Sequence, residues 1–318
     1  MQLKNVCRSL ATSFINSASS IKMQIKKLTI YPSFFHSSLP ARSLATKKIR
    51  QIQENLEIPN KIHKINSVRE ISTLHPKGTL VFFDIDDTLL DLPYMLGSRA
   101  WRRYISEATK GSDRNWHDIF SLFINKNIPV VTVEKETSQL VKDLQQNGCE
   151  VYGLTARERQ MWYQTSCEGI DRMTIKQLKS LNILFQRQMP SFMQDTEFFK
   201  GVYFADTDAK GDYLRKIVEK GERPKFIFID DKRSQCESVS SALKELGINH
   251  ECYWYCAADA KAEGFKPLIA NIQLYYLWLS QGKEILSDQE AESISLKYPD
   301  KDADYYLKAL LKNAGSDR

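Results

Sequence analysis

The chain has 318 residues, 42% hydrophobic and 26% charged, enough for one large α/β domain with an insertion or for two small domains. Its net charge of +6 is unevenly placed: residues 1–53 hold nine Lys or Arg and no acid, leaving 36 basic against 39 acidic residues in the rest. That body lacks the basic bias of a nucleic-acid binder, and no run approaches the ~18 apolar residues that span a bilayer.

Residues 1–53 are rich in Ser, Lys and Arg, with Leu3, Val6, Leu10 and Phe14 on one helical face. This composition fits an organellar transit peptide, a flexible bacterial tail or a secretion signal; a Sec-type signal is disfavoured because no apolar segment follows the first charges. A cytoplasmic location is expected, with organellar import or secretion through the leader as alternatives. Residues 54–318 are expected to fold. Six scattered cysteines include no C-x-x-C pair, so reduced core thiols are expected, and the five histidines show no metal-ligand spacing.

Residues 54–79 predict a helical lead-in, with Ser67-Val68-Arg69-Glu70 in the form of a capping box, broken by His75-Pro76-Lys77-Gly78. Leu80 to Phe83 predicts a buried strand that runs into Asp84-Ile85-Asp86-Asp87-Thr88. Carboxylates at the end of a buried strand are costly unless a cation or hydrogen bonds satisfy them. Strand ends of α/β sheets are also where ligands bind. Asp84 and Asp86 are therefore candidates for chemistry: one carboxylate can attack phosphorus, the other can carry protons, and a divalent cation can neutralise the charge between them.

Residues 92–130 predict two helices, from Trp101, Tyr104 and Ile105 and from Trp116, Ile119, Phe120 and Phe123. Residues 133–147 predict an amphipathic helix stopped at Gly148, followed by a strand over 150–155 that ends in Thr155-Ala156-Arg157. Residues 158–200 read as helix and loop. Val202 to Ala205 predicts a strand, and Lys210-Gly211-Asp212 opens a helix that buries Leu214, Ile217 and Val218 and stops at Gly221. Phe226 to Ile229 predicts another buried strand, ending in Asp230-Asp231. A helix carrying Val239, Leu243 and Leu246, a final strand over Cys252 to Cys256 and a helical segment 265–318 with a charged surface complete the chain. Strands alternating with helices predict an α/β fold on a parallel sheet.

Asp84-Ile85-Asp86-Asp87-Thr88, the strand-end Thr155, the helix-start Lys210 and the strand-end pair Asp230-Asp231 stand in the order of the four motifs of the haloacid dehalogenase (HAD) superfamily, which this sequence resembles over roughly residues 75–260. The stretches Leu96-Gly97-Ser98-x-x-Trp101 and Gly153-Leu154-Thr155-Ala156-Arg157 are also similar to a little-characterised bacterial branch known as DUF2608. The superfamily resemblance implies a Rossmann-like three-layer α/β/α sandwich with a small helical cap inserted at about 92–130. It implies an Mg²⁺-dependent phosphatase acting on a small phosphomonoester through an aspartyl-phosphate. Asp84 would be the nucleophile and Asp86 the acid and base. Asp84, Asp86 (through its carbonyl), Asp231 and Asp230 would hold the metal, and Thr155 and Lys210 the phosphoryl group. Asp86 separates phosphatases from dehalogenases in this resemblance. Two alternatives stand beside it: a non-catalytic binding or effector module, and a phosphoprotein phosphatase or phosphotransferase.

Some residues carry two readings. Arg157 can contact substrate phosphate or an internal acid, and with the Asp-x-Asp-x-Thr run it resembles class B and C acid phosphatases, which makes nucleotides a candidate substrate. Asp91 can bind substrate or belong to the cap. Trp101, Arg102, Arg103 and Trp116 can stack on a ring and pair with an anion; the simpler reading puts the tryptophans in the cap core and the arginines in solvent.

Overall fold

The structure is a computed structural model that describes residues 62–159, 169–206, 209–220 and 223–316. The strands are β1 (Ile62–Ile65), β2 (Leu80–Phe83), β3 (Leu90–Asp91), β4 (Val131–Thr132), β5 (Glu150–Thr155), β6 (Val202–Phe204), β7 (Phe226–Asp230) and β8 (His250–Tyr255). Six of them form one parallel sheet in the order β1-β8-β7-β2-β5-β6. β2, the strand that leads into Asp84, lies inside this sheet with a neighbour on each side.

The central strands are apolar at successive positions because both sheet faces are covered. Val81, Phe83, Val151, Ile227 and Ile229 point into one core, and Leu80, Phe82, Tyr152, Phe226 and Phe228 into the other. The first core is closed by α1 (Arg99–Ala108), α2 (Trp116–Asn127), α3 (Thr137–Gln146) and α4 (Ile170–Ser180), the second by α5 (Lys210–Ile217) and α6 (Arg233–Glu245). The short α7 (Asp259–Glu263) and three C-terminal helices follow: α8 (Pro267–Leu279), α9 (Asp288–Lys297) and α10 (Ala303–Ser316). The protein is thus a three-layer α/β sandwich of Rossmann-like type. Among the described residues, no helix is long and apolar enough to cross a membrane.

Three expectations change. Where a helical lead-in was expected, residues 62–65 form β1, a strand paired in parallel with β8. Ser67 and Glu70 do make the capping box, but it caps only the single 3-10 turn Val68–Glu70. The box is a local signal; the strand before it gains its hydrogen bonds from a segment almost 200 residues away, which no local period reveals. The helix that starts at Lys210 ends at Ile217, and Val218 bridges to Met193 instead; Gly221 lies outside the described residues. The 265–318 segment is helical, but α8 is a buried helix rather than a charged surface one.

That buried helix fixes the insertion. β3 and β4 pair antiparallel, Leu90 with Thr132 and Asp91 with Val131, and form a stem from which residues 92–130 leave and return. Gln273 of α8 accepts from the Leu96 backbone N–H at 3.0 Å and donates to Asp288 at 2.7 Å, while Asp288 also accepts from Met95 N–H at 3.0 Å. Asn271 donates to the Tyr104 hydroxyl at 2.9 Å. The helical layer over this edge is therefore α1 and α2 joined to α8, larger than the insertion alone.

α5 sits close against α6 because Gly211 has no side chain: a Cβ there would lie 2.1 Å from the Ser238 carbonyl oxygen. Gly211→Ala must push two helix backbones apart and is expected to cost about 3 kcal/mol of unfolding free energy, at the upper end of overpacking costs. Denaturant unfolding checks this, and a loss under about 0.5 kcal/mol would show that the helices slide apart freely.

Candidate functional site

The sheet register builds the site. Phe83 lies level with Gly153 on β5 and with Ile229 on β7, so Asp84, one residue on, sits between the ends of both neighbours. Its N–H donates to the Ile229 carbonyl at 2.8 Å. Thr155 therefore emerges on one side of Asp84, and Asp230 and Asp231 on the other. The chain then turns sharply. Asp87 takes a left-handed φ of 62°, tolerable for Asp, and its N–H donates to the Leu90 carbonyl at 2.9 Å. Lys210, the first residue of α5, enters beneath this turn.

Lys210 is 2% exposed. Its ammonium donates to Asp84 Oδ1 and, at 2.6 Å, to Asp230 Oδ2, and it lies 5.5 Å from the centre of the Phe228 ring. The second Asp230 oxygen accepts from the Lys232 N–H at 2.8 Å. Thr88 ties the two acidic segments together, since its hydroxyl lies 3.5 Å from Asp84 Oδ2 and accepts from the Asp231 N–H at 3.1 Å. Asp231 Oδ2 accepts from Arg99 Nη1 at 3.0 Å.

Oxygens of Asp84, Asp230 and Asp231 all lie within 4.8 Å of one another. Burial pushes the Asp84 carboxyl up to about 6, against the pull of Lys210. Burial, then the charges of Asp84 and Asp230, push Asp231 up to about 8. Burial would lower Lys210, but Asp230 and Asp84 outweigh it and hold the ammonium charged above its ordinary range. Two cations, the buried Lys210 ammonium and the Arg99 guanidinium on Asp231, thus meet three carboxylates, and two of these resist ionisation. A compact set of hard oxygen donors with surplus negative charge fits a hard divalent cation.

Asp86 stands apart from this cluster. Its two oxygens accept from Arg157 Nε at 2.8 Å and Nη2 at 2.7 Å, a bidentate pair. Burial acts to raise the Asp86 carboxyl, but the Arg157 charge and hydrogen bonds prevail and hold it well below the usual carboxylate range. Arg157 Nη1 also donates to Thr174 Oγ1 and Gln177 Oε1 of α4, both at 2.8 Å. Of the two readings of Arg157, the structure places it on an internal acid. The Asp86 carboxylate is directed to Arg157 and is not one of the three clustered carboxylates.

Trp101 and Trp116 are 1% and 6% exposed core residues, so neither offers a stacking face. Arg102 is half-buried rather than free in solvent: it pairs with Asp87 and donates to the Gly97 carbonyl at 2.7 Å. Arg103 is exposed and lines the cleft. Asp91 accepts from Lys261 at 2.6 Å, an internal pair at the stem of the insertion. Arg99, which bridges Asp231 and Asp259, was not singled out from the sequence, nor was Gln235, which accepts from the Lys210 N–H at 3.0 Å. Arg99 opens α1 directly after its Ser98 cap, and nothing local in the chain distinguishes it from the arginines that follow.

These groups line one cleft of about 1020 Å³, walled by α1 and α2 on one side and by the strand ends on the other. Fold and site together define an α/β protein with a lysine–carboxylate centre at the C-terminal edge of its sheet. The chain matches, over residues 51–292, the family described as "Protein of unknown function (DUF2608)", and it belongs to that family. No curated protein matches it.

Without a metal, the raised Asp231 carboxyl makes a definite pH demand. Its folded value of about 8 lies above its ordinary 3.8, so the folded state holds the proton more tightly and loses stability as pH rises between these values. In chelator, the wild-type melting temperature should fall from pH 5 to pH 8, and Asp231→Asn should shrink that fall. An unchanged fall in the variant would place the surplus charge elsewhere.

Proposed function

We propose that this chain is a phosphatase of the HAD superfamily that hydrolyses a phosphomonoester through an aspartyl-phosphate on Asp84, with Mg²⁺ as its cofactor. The observation that carries the reading is the contact of buried Lys210 with both Asp84 and Asp230, with Asp231 inside the same 4.8 Å cluster. A purely structural ion pair has no need of a second and third buried carboxylate, whereas a nucleophile meeting an anionic phosphoryl group needs neutralising charge around it.

One Asp84 oxygen attacks phosphorus, and the ester oxygen leaves with a proton from Asp86. Asp86 then takes a proton from water as that water attacks the phosphorus of the aspartyl-phosphate, which frees phosphate and restores Asp84. Lys210 and the Thr155 hydroxyl hold the phosphoryl oxygens. Asp84, Asp231, Asp230 and the Asp86 carbonyl would hold Mg²⁺, which supplies Lewis-acid neutralisation of the phosphoryl charge when bound. In its pair with Arg157, Asp86 is a carboxylate without a proton. The dianionic phosphoryl group of the substrate competes for Arg157, and transfer of that guanidinium lets Asp86 take up the proton it must give. Arg157 thus serves both of its sequence readings in turn.

The core positions of Trp101 and Trp116 leave a nucleotide base without the aromatic platform those residues would have offered. A second reading, a phosphoprotein phosphatase, draws on the breadth of the cleft, whose volume of about 1020 Å³ lies at the top of the range for small-molecule sites.

The test is phosphate release by the full chain from p-nitrophenyl phosphate and a panel of phosphorylated metabolites, with Mg²⁺ or with chelator. Release should require Mg²⁺ and fall at least ~10³-fold in Asp84→Asn, as for loss of a nucleophile. Near-wild-type turnover by Asp84→Asn would reject the mechanism.

A further inference from the structure

Beside the charged cleft lies a second cavity of about 560 Å³ between α2 and α4, floored by Trp278 of α8. Its volume is that of a ligand pocket. Ile119, Leu122, Phe123, Val130, Met173 and Trp278 give it an apolar lining, with the Phe123 and Trp278 rings 4.8 Å apart. Its uncharged polar side chains are already engaged, and Lys126 and Lys176 stand exposed among its lining. Gln177 accepts from Arg157 and donates to Asn125, Asn125 donates to the Ser121 carbonyl, Asn127 to the Phe123 carbonyl and Ser180 to the Gln177 carbonyl. Apart from those two lysines, what this groove offers a ligand is apolar surface.

The groove and the cleft share Leu122, Asn125 and Met173 as lining residues, so the two adjoin. Leu122 and Met173 are half-buried, and methionine is readily repacked. The Gln177–Asn125 contacts are 3.3 and 3.4 Å, beyond the usual range of a good N–H···O bond. Gln177 also holds Arg157, so the wall of the groove is joined to the pair that guards Asp86.

Building on the phosphatase reading, we propose that the substrate is the monophosphate of an amphiphile, its phosphoryl group at Asp84 and its hydrocarbon part in the groove between α2 and α4. The adjacency of an apolar groove to the charged cleft selects a ligand with one charged end and one apolar end. A small polar metabolite would leave the groove unfilled, since each buried methylene is worth about fourfold in affinity.

The experiment uses the full chain with ethyl, butyl and octyl phosphate in Mg²⁺, binding being measured by calorimetry on Asp84→Asn and turnover on the wild type. Octyl phosphate should bind at least ~10-fold more tightly than ethyl phosphate. Ser180→Trp, which fills the groove from the exposed end of α4, and Ile119→Asp, which places a charge in it, should each abolish that difference while ethyl phosphate turnover is unchanged. Equal binding of the three esters, or a chain-length effect that survives both variants, would overturn the proposal while leaving the phosphatase reading in place. Dimerisation that Ser180→Trp abolishes, with no chain-length effect, would assign the groove to a second copy and overturn it likewise. Chain-length-dependent binding without hydrolysis of any ester would reject the phosphatase reading and keep the groove's.

Discussion

A lysine ammonium with almost no solvent contact, held between two aspartates and close to a third, is the constraint on which the rest of the structure turns. Charges taken out of water must find partners, and Lys210, Asp84 and Asp230 find one another only if three distant segments meet at one point. The register of β2 with β7 brings the two aspartates level. The start of α5 delivers the lysine, and its approach to α6 depends on the missing side chain of Gly211. Thr88 and Arg99 then hold Asp231 beside them. Each of these features has a local rationale, but they share one electrostatic purpose, which is to keep a dense set of carboxylates buried and partly compensated.

The compensation is incomplete, and that incompleteness supports a catalytic reading. A structural ion-pair network tends toward neutrality, whereas here burial and mutual repulsion raise two carboxyls far above their ordinary range. Asp86 shows the opposite treatment a few residues away, with its charge fully met by Arg157. Two carboxyls on one strand end pushed in opposite directions are the arrangement from which separate nucleophilic and proton-transfer roles are built. In the proposed reaction, the link from Arg157 through Gln177 to the apolar groove would let the non-reacting part of the substrate act on the reacting part.

Much of this was legible in the chain. The apolar runs at 80–83 and 226–229, uninterrupted because both sheet faces are covered, announced buried parallel strands, and the carboxylates after them marked the edge where the buried acidic cluster forms. Gly148 closed its helix where expected, with a left-handed φ. Long-range pairing was hidden. β1 carries only four residues and depends on β8, so a nearby capping box suggested helix instead. Arg99 and Arg102 look alike in sequence beside Arg103, yet two of them reach buried aspartates and the third faces solvent. α8 gave no amphipathic signal of surface type because it is enclosed by the insertion and by its own neighbours. Tertiary context decided these cases.

The most direct test of the proposed chemistry asks whether a covalent bond forms on Asp84. Turnover by the full chain, quenched in acid and reduced with borohydride, converts an acyl phosphate into homoserine, which peptide mass spectrometry can place in the sequence. Homoserine at position 84, formed only with substrate and Mg²⁺, is the predicted result. An unmodified Asp84 in protein that is turning over, or homoserine at another aspartate, would contradict the account.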